Sequence, residues 1–120
     1  MRIGAPAVAG LLLLGGGALN AGVPTLSDCL EGGDFIANAA RSRDNGVTRL
    51  AILERMREDF ELIHAFPREL RWFAQDTDDE CFLLAAAARV FDTPNLPERH
   101  REQFLRSCFD RAAGAAHGGD

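Results

Sequence analysis

The sequence contains no lysine and no tyrosine, one tryptophan, two methionines and three cysteines. Its cationic side chains are therefore arginines, and they are outnumbered by 18 acids to leave a net charge of −5. The acidic balance argues against nucleic acid and anionic membranes as partners, because phosphate binding needs clustered positive charge. It favours solubility and permits a basic protein partner. No stretch alternates apolar and polar at the period of a strand, so no sheet is expected. There is no internal repeat, interdomain linker, glycine-rich phosphate loop or zinc spacing of cysteines. Nucleophilic catalysis would set a Cys or Ser beside a His, and neither Cys81-Phe82 nor Ser107-Cys108 has a His neighbour in sequence. These absences predict no enzyme, no cofactor and no metal.

What is present begins with a leader. Arg2 forms a minimal positive region. Ile3 to Leu14 is uncharged and rich in Leu, Ala, Val and Gly, and Gly15 to Ala21 is a run of small residues. This is the pattern of an export signal, cleaved after Ala18 or Ala21. The alternative is a retained membrane anchor, but the Gly and Pro content suits a cleaved signal better. We therefore expect a signal over residues 1–21, a helical domain over 22–113 and a disordered tail over 114–120. The expected location is the periplasm or the exterior, with no stable membrane insertion after cleavage. Losing Arg2 would move the net charge from −5 to −6.

The expected fold is all-α: a compact bundle of four main helices plus one short one, stabilised by a disulfide. The stretch Thr77 to Asp92 reads as its centre. Thr77 and Glu80 have the spacing of a capping box, Asp78 and Asp79 suit the helix dipole, and apolar residues then run nearly all round from Cys81 to Phe91. A helix apolar on every side is expected to be surrounded. Thr93-Pro94 ends it. Before it, a first helix starts near Ser27 or Asp28, runs to about Arg43 and stops at Asn45-Gly46. A second, capped by Thr48, spans about Arg49 to Phe66, with Leu50, Leu53, Met56, Phe60 and Ile63 on one face. Pro67 opens a short helix to about Phe73. The last helix runs from about Pro97 to Ala112, with Phe104, Leu105 and Cys108 inward.

Short loops make these helices antiparallel neighbours. Following the chain up and down places Cys29, Cys81 and Cys108 at one end of the bundle. In an oxidising compartment one bridge and one leftover thiol result. Cys81–Cys108 would close one helical hairpin, whereas Cys29–Cys108 would tie the ends of the domain together. Chain entropy favours the longer closure, at roughly 4.5 against 3.5 kcal/mol. The expected pair is Cys29–Cys108, with Cys81 buried as a small apolar residue.

Phe35-Ile36-Ala37-Asn38-Ala39-Ala40, Arg43-Asp44-Asn45-Gly46, Phe66-Pro67-Arg68-Glu69-Leu70-Arg71-Trp72-Phe73 and the closing Cys108 resemble a set of small exported helical proteins of Gram-negative bacteria. That set has no established activity. The resemblance, from Asp34 to Cys108, implies an exported, disulfide-linked helical domain and brings no reaction or substrate with it. In form, size and export the chain also resembles, more distantly, periplasmic immunity proteins that block bacterial toxins, and small acid-stress chaperones.

Five groups of residues could carry chemistry. Glu61-Leu-Ile-His64 is half of a di-iron carboxylate motif, but no second Glu-x-x-His exists, and Glu98-Arg-His100 has the wrong spacing. Asp76 to Glu80 resembles the start of a calcium loop but lacks its Gly and distant Glu, and helix capping accounts for the acids. Arg43 to Gly46 could be a binding loop, although a helix C-cap accounts for the Gly. Arg68, Arg71 and Trp72 form the most suggestive protein-binding surface, since Arg and Trp dominate interaction hot spots. The competing role for Trp72 is packing over the end of the bundle. His64, His100 or Cys81 would serve a small metal or redox protein. The leading functional expectation is an exported, non-enzymatic protein that binds another exported protein as an inhibitor, immunity or accessory factor. An acid-stress holdase is the alternative, and a metal or redox protein comes third.

Overall fold

A computed structural model describes residues 25–71 and 74–116. Four helices and one 3-10 turn make up its elements: α1 (Leu26–Asp44), α2 (Arg49–Ile63), the turn Arg68–Leu70, α3 (Thr77–Asp92) and α4 (Pro97–Ala116). No strand occurs among the described residues. The expected leader lies outside them, as do Trp72 and Phe73.

Local chemistry sets each boundary. Thr25 and Asp28 form a reciprocal capping box: Asp28 N–H donates to Thr25 Oγ1 at 3.0 Å, and Thr25 N–H donates to Asp28 Oδ2 at 3.1 Å. That box starts α1 at Leu26, slightly ahead of the expected Ser27 or Asp28. At the other end Asn45 caps the helix, and Gly46 takes φ +96°, a left-handed conformation that costs glycine little. Thr48 Oγ1 accepts from Ala51 N–H and starts α2. This helix ends at Ile63, a turn short of the expected Phe66. The segment after Pro67 closes only a 3-10 turn, because Arg71 is already extended. α4 continues past Gly114 to Ala116, into the region expected to be a disordered tail.

Two expectations about the start of α3 are corrected. The cap is Asp76, whose carboxylate accepts from Asp79 N–H at 2.9 Å, so Thr77 is the first helical residue. The Asp79 carboxylate in turn accepts from the N–H of Gln75, the residue before the cap, at 3.0 Å. Glu80, released from capping, pairs with His64 of α2.

The centre of the bundle is also different from the expected one. α1 packs most extensively on α4 and next on α3, and α2 has its main packing on α3. α1 is thus the most extensively packed element, while α3 also reaches α4 directly through Phe82–Phe104 and Asp79–Arg111. The buried residues of α1 are Cys29, Gly32, Gly33, Ile36, Ala37, Ala39 and Ala40. Their small side chains let backbones approach: a Cβ added at Gly33 would lie 3.2 Å from Leu105 Cδ2 and 3.3 Å from Arg101 Cγ. α3 buries a stripe instead of its whole circumference, formed by Asp79, Leu83, Ala86, Ala87 and Val90. Cys81 and Ala85 are exposed and Phe91 is half-buried, so α3 is not the wrapped central rod. Alanine and cysteine are small enough that leaving them in water forfeits little burial energy.

Cys29 and Cys108 are joined, with Cα atoms 5.7 Å apart and both residues fully buried. This is the longer of the two pairings considered. Cys81 is free and exposed, contrary to the buried role expected of it. Phe82 meets Phe104 at 5.4 Å between ring centroids, which links α3 to α4 across the core. Arg101–Asp34 (2.9 Å) and Arg41–Glu98 (3.3 Å) lace the outer seam of α1 and α4, and Arg49–Asp92 (2.9 Å) ties α2 to α3. Each has an exposed partner, so each contributes a few tenths of a kcal/mol up to about 1.

Candidate functional site: an apolar corner held by Arg71

The segment leaving α2 turns sharply, and its backbone would be left with unpaired carbonyls. Arg71 supplies the donors. Its Nε donates to Phe66 O at 3.0 Å, Nη2 to His64 O at 3.2 Å and Nη1 to Gln75 O at 3.0 Å. Gln75 returns a bond from Nε2 to Arg71 O at 2.9 Å. A planar guanidinium with five donors suits this task in a way a lysine ammonium does not. Arg71 is thereby half-buried and committed to the fold of the corner.

The side chains of the same corner point the other way. Leu62 is 67% exposed, Phe66 50% and Leu70 70%. Arg68 beside them is exposed, while Trp72 lies outside the described residues. Of the three residues expected to form a binding surface, then, Arg68 faces solvent and Arg71 holds the backbone that displays it. Sequence reasoning missed Leu62, Phe66 and Leu70. The available signal was Leu62, four residues after Glu58 and so on the polar side of α2.

Behind the corner, the Asp79 carboxylate is 2% exposed and lies 2.7 Å from Arg111 Nη2 of α4. Burial pushes the Asp79 pKa up from its ordinary value, and Arg111 and the Gln75 N–H pull in the opposite direction. The Arg111 guanidinium also lies 4.8 Å above the Phe82 ring, a cation–π contact. A continuous chain of polar contacts therefore runs from the corner through Arg71, Gln75 and Asp79 to α4.

The other candidates are placed as follows. His64 pairs with Glu80 instead of turning toward Glu61, and no group of three His, Cys, Asp or Glu residues converges as a metal set among the described residues. Arg43 does not present a loop to solvent. It turns inward, donating to Val90 O and Asn95 O at 2.7 Å each, and its Nη1 lies 3.4 Å from Nε2 of the buried His100. An apolar recess of about 90 Å³ opens between α1, α2 and α3, lined by Phe35, Met56, Phe60, Ile63 and Leu83 with Asp59 among them. It has no convergent donors or nucleophile beside that one carboxylate. Among the described residues no helix is long and apolar enough to cross a membrane. Comparison with protein-family models, curated proteins and solved structures finds no match.

Proposed function

We propose that this is an exported, non-enzymatic protein that binds another exported protein, acting on it as an inhibitor, immunity or accessory factor. One observation carries the reading: three large apolar side chains, Leu62, Phe66 and Leu70, stand in solvent on a backbone pinned by Arg71. Exposed large hydrophobics scattered singly need no explanation, but a set gathered at one stiff turn resembles an interface. A turn already fixed by three carbonyl bonds loses little further entropy when a partner docks on it. The neighbouring outer face of α2 carries exposed Glu54, Glu58 and Glu61 beside Arg55 and Arg57, and the whole chain is acidic. The partner that complements this has an apolar patch rimmed by Arg or Lys. Export is supported by the leader pattern and by the Cys29–Cys108 bridge, which persists in an oxidising compartment.

The test is site-specific photo-crosslinking in the cells that make the protein. A photoreactive residue at Leu70 is expected to give a discrete protein adduct, and one at exposed Gln103 on α4 none. Adding Leu62→Ser should abolish the adduct while changing stability by less than about 0.5 kcal/mol, as befits an exposed position. Adducts from position 103 with none from position 70 would refute the proposal.

A further inference from the structure

We propose that His100 is the trigger of an acid-opened latch: its protonation expels Arg43 from the Val90 and Asn95 carbonyls and frees the corner between α3 and α4. The geometry leaves the imidazole one comfortable state. His100 is 4% exposed, and its Nε2 faces Arg43 Nη1 at 3.4 Å. A neutral ring can offer a lone pair to that guanidinium, whereas an imidazolium would set one N–H cation against another. The charged groups around it come from both packed helices: Arg43 and Asp44 on α1 and Arg89 on α3. Burial, then Arg43, then Arg89 oppose the charged ring, and Asp44 alone favours it. Asp44 is itself engaged by Arg43, whose Nε and Nη2 donate to Asp44 Oδ1 at 3.0 and 2.9 Å.

Arg43 is what protonation would dislodge, and Arg43 is the tie between three elements. Its two 2.7 Å bonds join the end of α1 to the last turns of α3 and to the linker before α4. The Cys29–Cys108 bridge sits toward the other end of α1, about 20 Å away along the helix at its rise per residue. One end of the α1–α4 pair is therefore covalently fixed, and the other is held by a group that acid turns into a repulsive contact. Opening would bare Val90 and Ala40, both buried in the closed state. This device lies at the end of the bundle remote from the Leu62–Leu70 corner and does not depend on the binding role proposed for it.

The sign follows from linkage. An open state takes up a proton with the ordinary histidine value of 6.5, while the closed state resists it, so opening is favoured as pH falls below 6.5. Between pH 7.5 and pH 5.0 the opening equilibrium rises by at most about 30-fold on that basis. Hydrogen exchange of the full chain, corrected for intrinsic chemical rates, should show a rise of several-fold over residues 90–101 with that ceiling. Residues 104–110, beside the bridge, should change less than twofold. His100→Gln, which cannot protonate, should remove the rise. Should that variant fail to fold, the pH profile of exchange in the natural protein decides: the rise must set in near pH 6.5, whereas one that sets in only below about pH 5.5 belongs to carboxylates. An unchanged profile in the natural protein, a rise that survives in His100→Gln, or a rise confined to pH below about 5.5 would each overturn the proposal.

Discussion

Reducing the Cys29–Cys108 bridge removes a covalent closure without altering core volume, since both sulfurs remain where they are buried. The residues are separated by 79 positions, so the reduced unfolded chain regains the freedom of a long loop. Chain entropy puts the loss at about 4.5 kcal/mol at 25 °C. A domain of this size has about 5–15 kcal/mol in total, so reduction should remove a large part of it. Cys81 must first be replaced by Ala to prevent exchange; being exposed, it should cost under about 0.5 kcal/mol. The assay is urea unfolding of oxidised and reduced Cys81→Ala protein. With a slope of about 2 kcal/mol per molar, the midpoint should fall by about 2 M. Coincident oxidised and reduced transitions would refute the reasoning, as would failure of Cys81→Ala protein to form any bridge.

Two further substitutions test the packing behind the corner and at the helix seam. Arg111→Met leaves the Asp79 carboxylate buried and unpaired, and should cost about 2–3 kcal/mol at pH 7; this is below the figure for a fully buried pair, because Arg111 keeps a quarter of its side chain in solvent. The Asp79 pKa, already raised by burial, rises further without Arg111, so the loss should shrink as pH falls through it, and an equal loss at pH 7 and pH 4 by urea unfolding would contradict this. Gly33→Ala adds a Cβ 3.2 Å from the flexible end of Leu105 and gains helix propensity, so it should change stability by less than about 1 kcal/mol; Gly33→Val should cost about 2–3 kcal/mol by thermal melting, and equal stability of the two variants would contradict the close approach of α1 and α4.

The features legible in the sequence were those fixed by neighbouring residues. Asn45-Gly46, Thr48 and Pro94 to Pro97 punctuate the chain with local chemistry, and the helices fall between them. Helix polarity then brought Cys29 to Cys108. What misled was the equation of apolar composition with centrality. Residues Cys81 to Phe91 are greasier than α1, yet α1 is the more extensively packed element, because its buried Gly32, Gly33, Ala37 and Ala40 are small, with the close approach to α4 plain at Gly33. Side-chain size decided this, and hydropathy periodicity does not register size. Asp76 displaced Thr77 as cap: its carboxylate, one residue earlier, takes the Asp79 N–H, and Asp79 takes the Gln75 N–H. Arg71 and Arg43 looked like surface cations. Their targets are backbone carbonyls, invisible to residue identity, and for Arg43 they lie 47 and 52 positions away. His100, weighed only as a metal ligand, is buried by contacts equally distant in the chain.

The extensive packing of α1 against α4 and α3 underlies the bridge and the latch alike. Native-state hydrogen exchange of the oxidised protein at pH 7.5 tests it most directly. The slowest-exchanging amides should lie in α1 around Ile36 to Ala40, with α2 opening at lower free energy because it packs on α3 alone among its major contacts. Slowest exchange in α3, with α1 opening as readily as α2, would contradict the account.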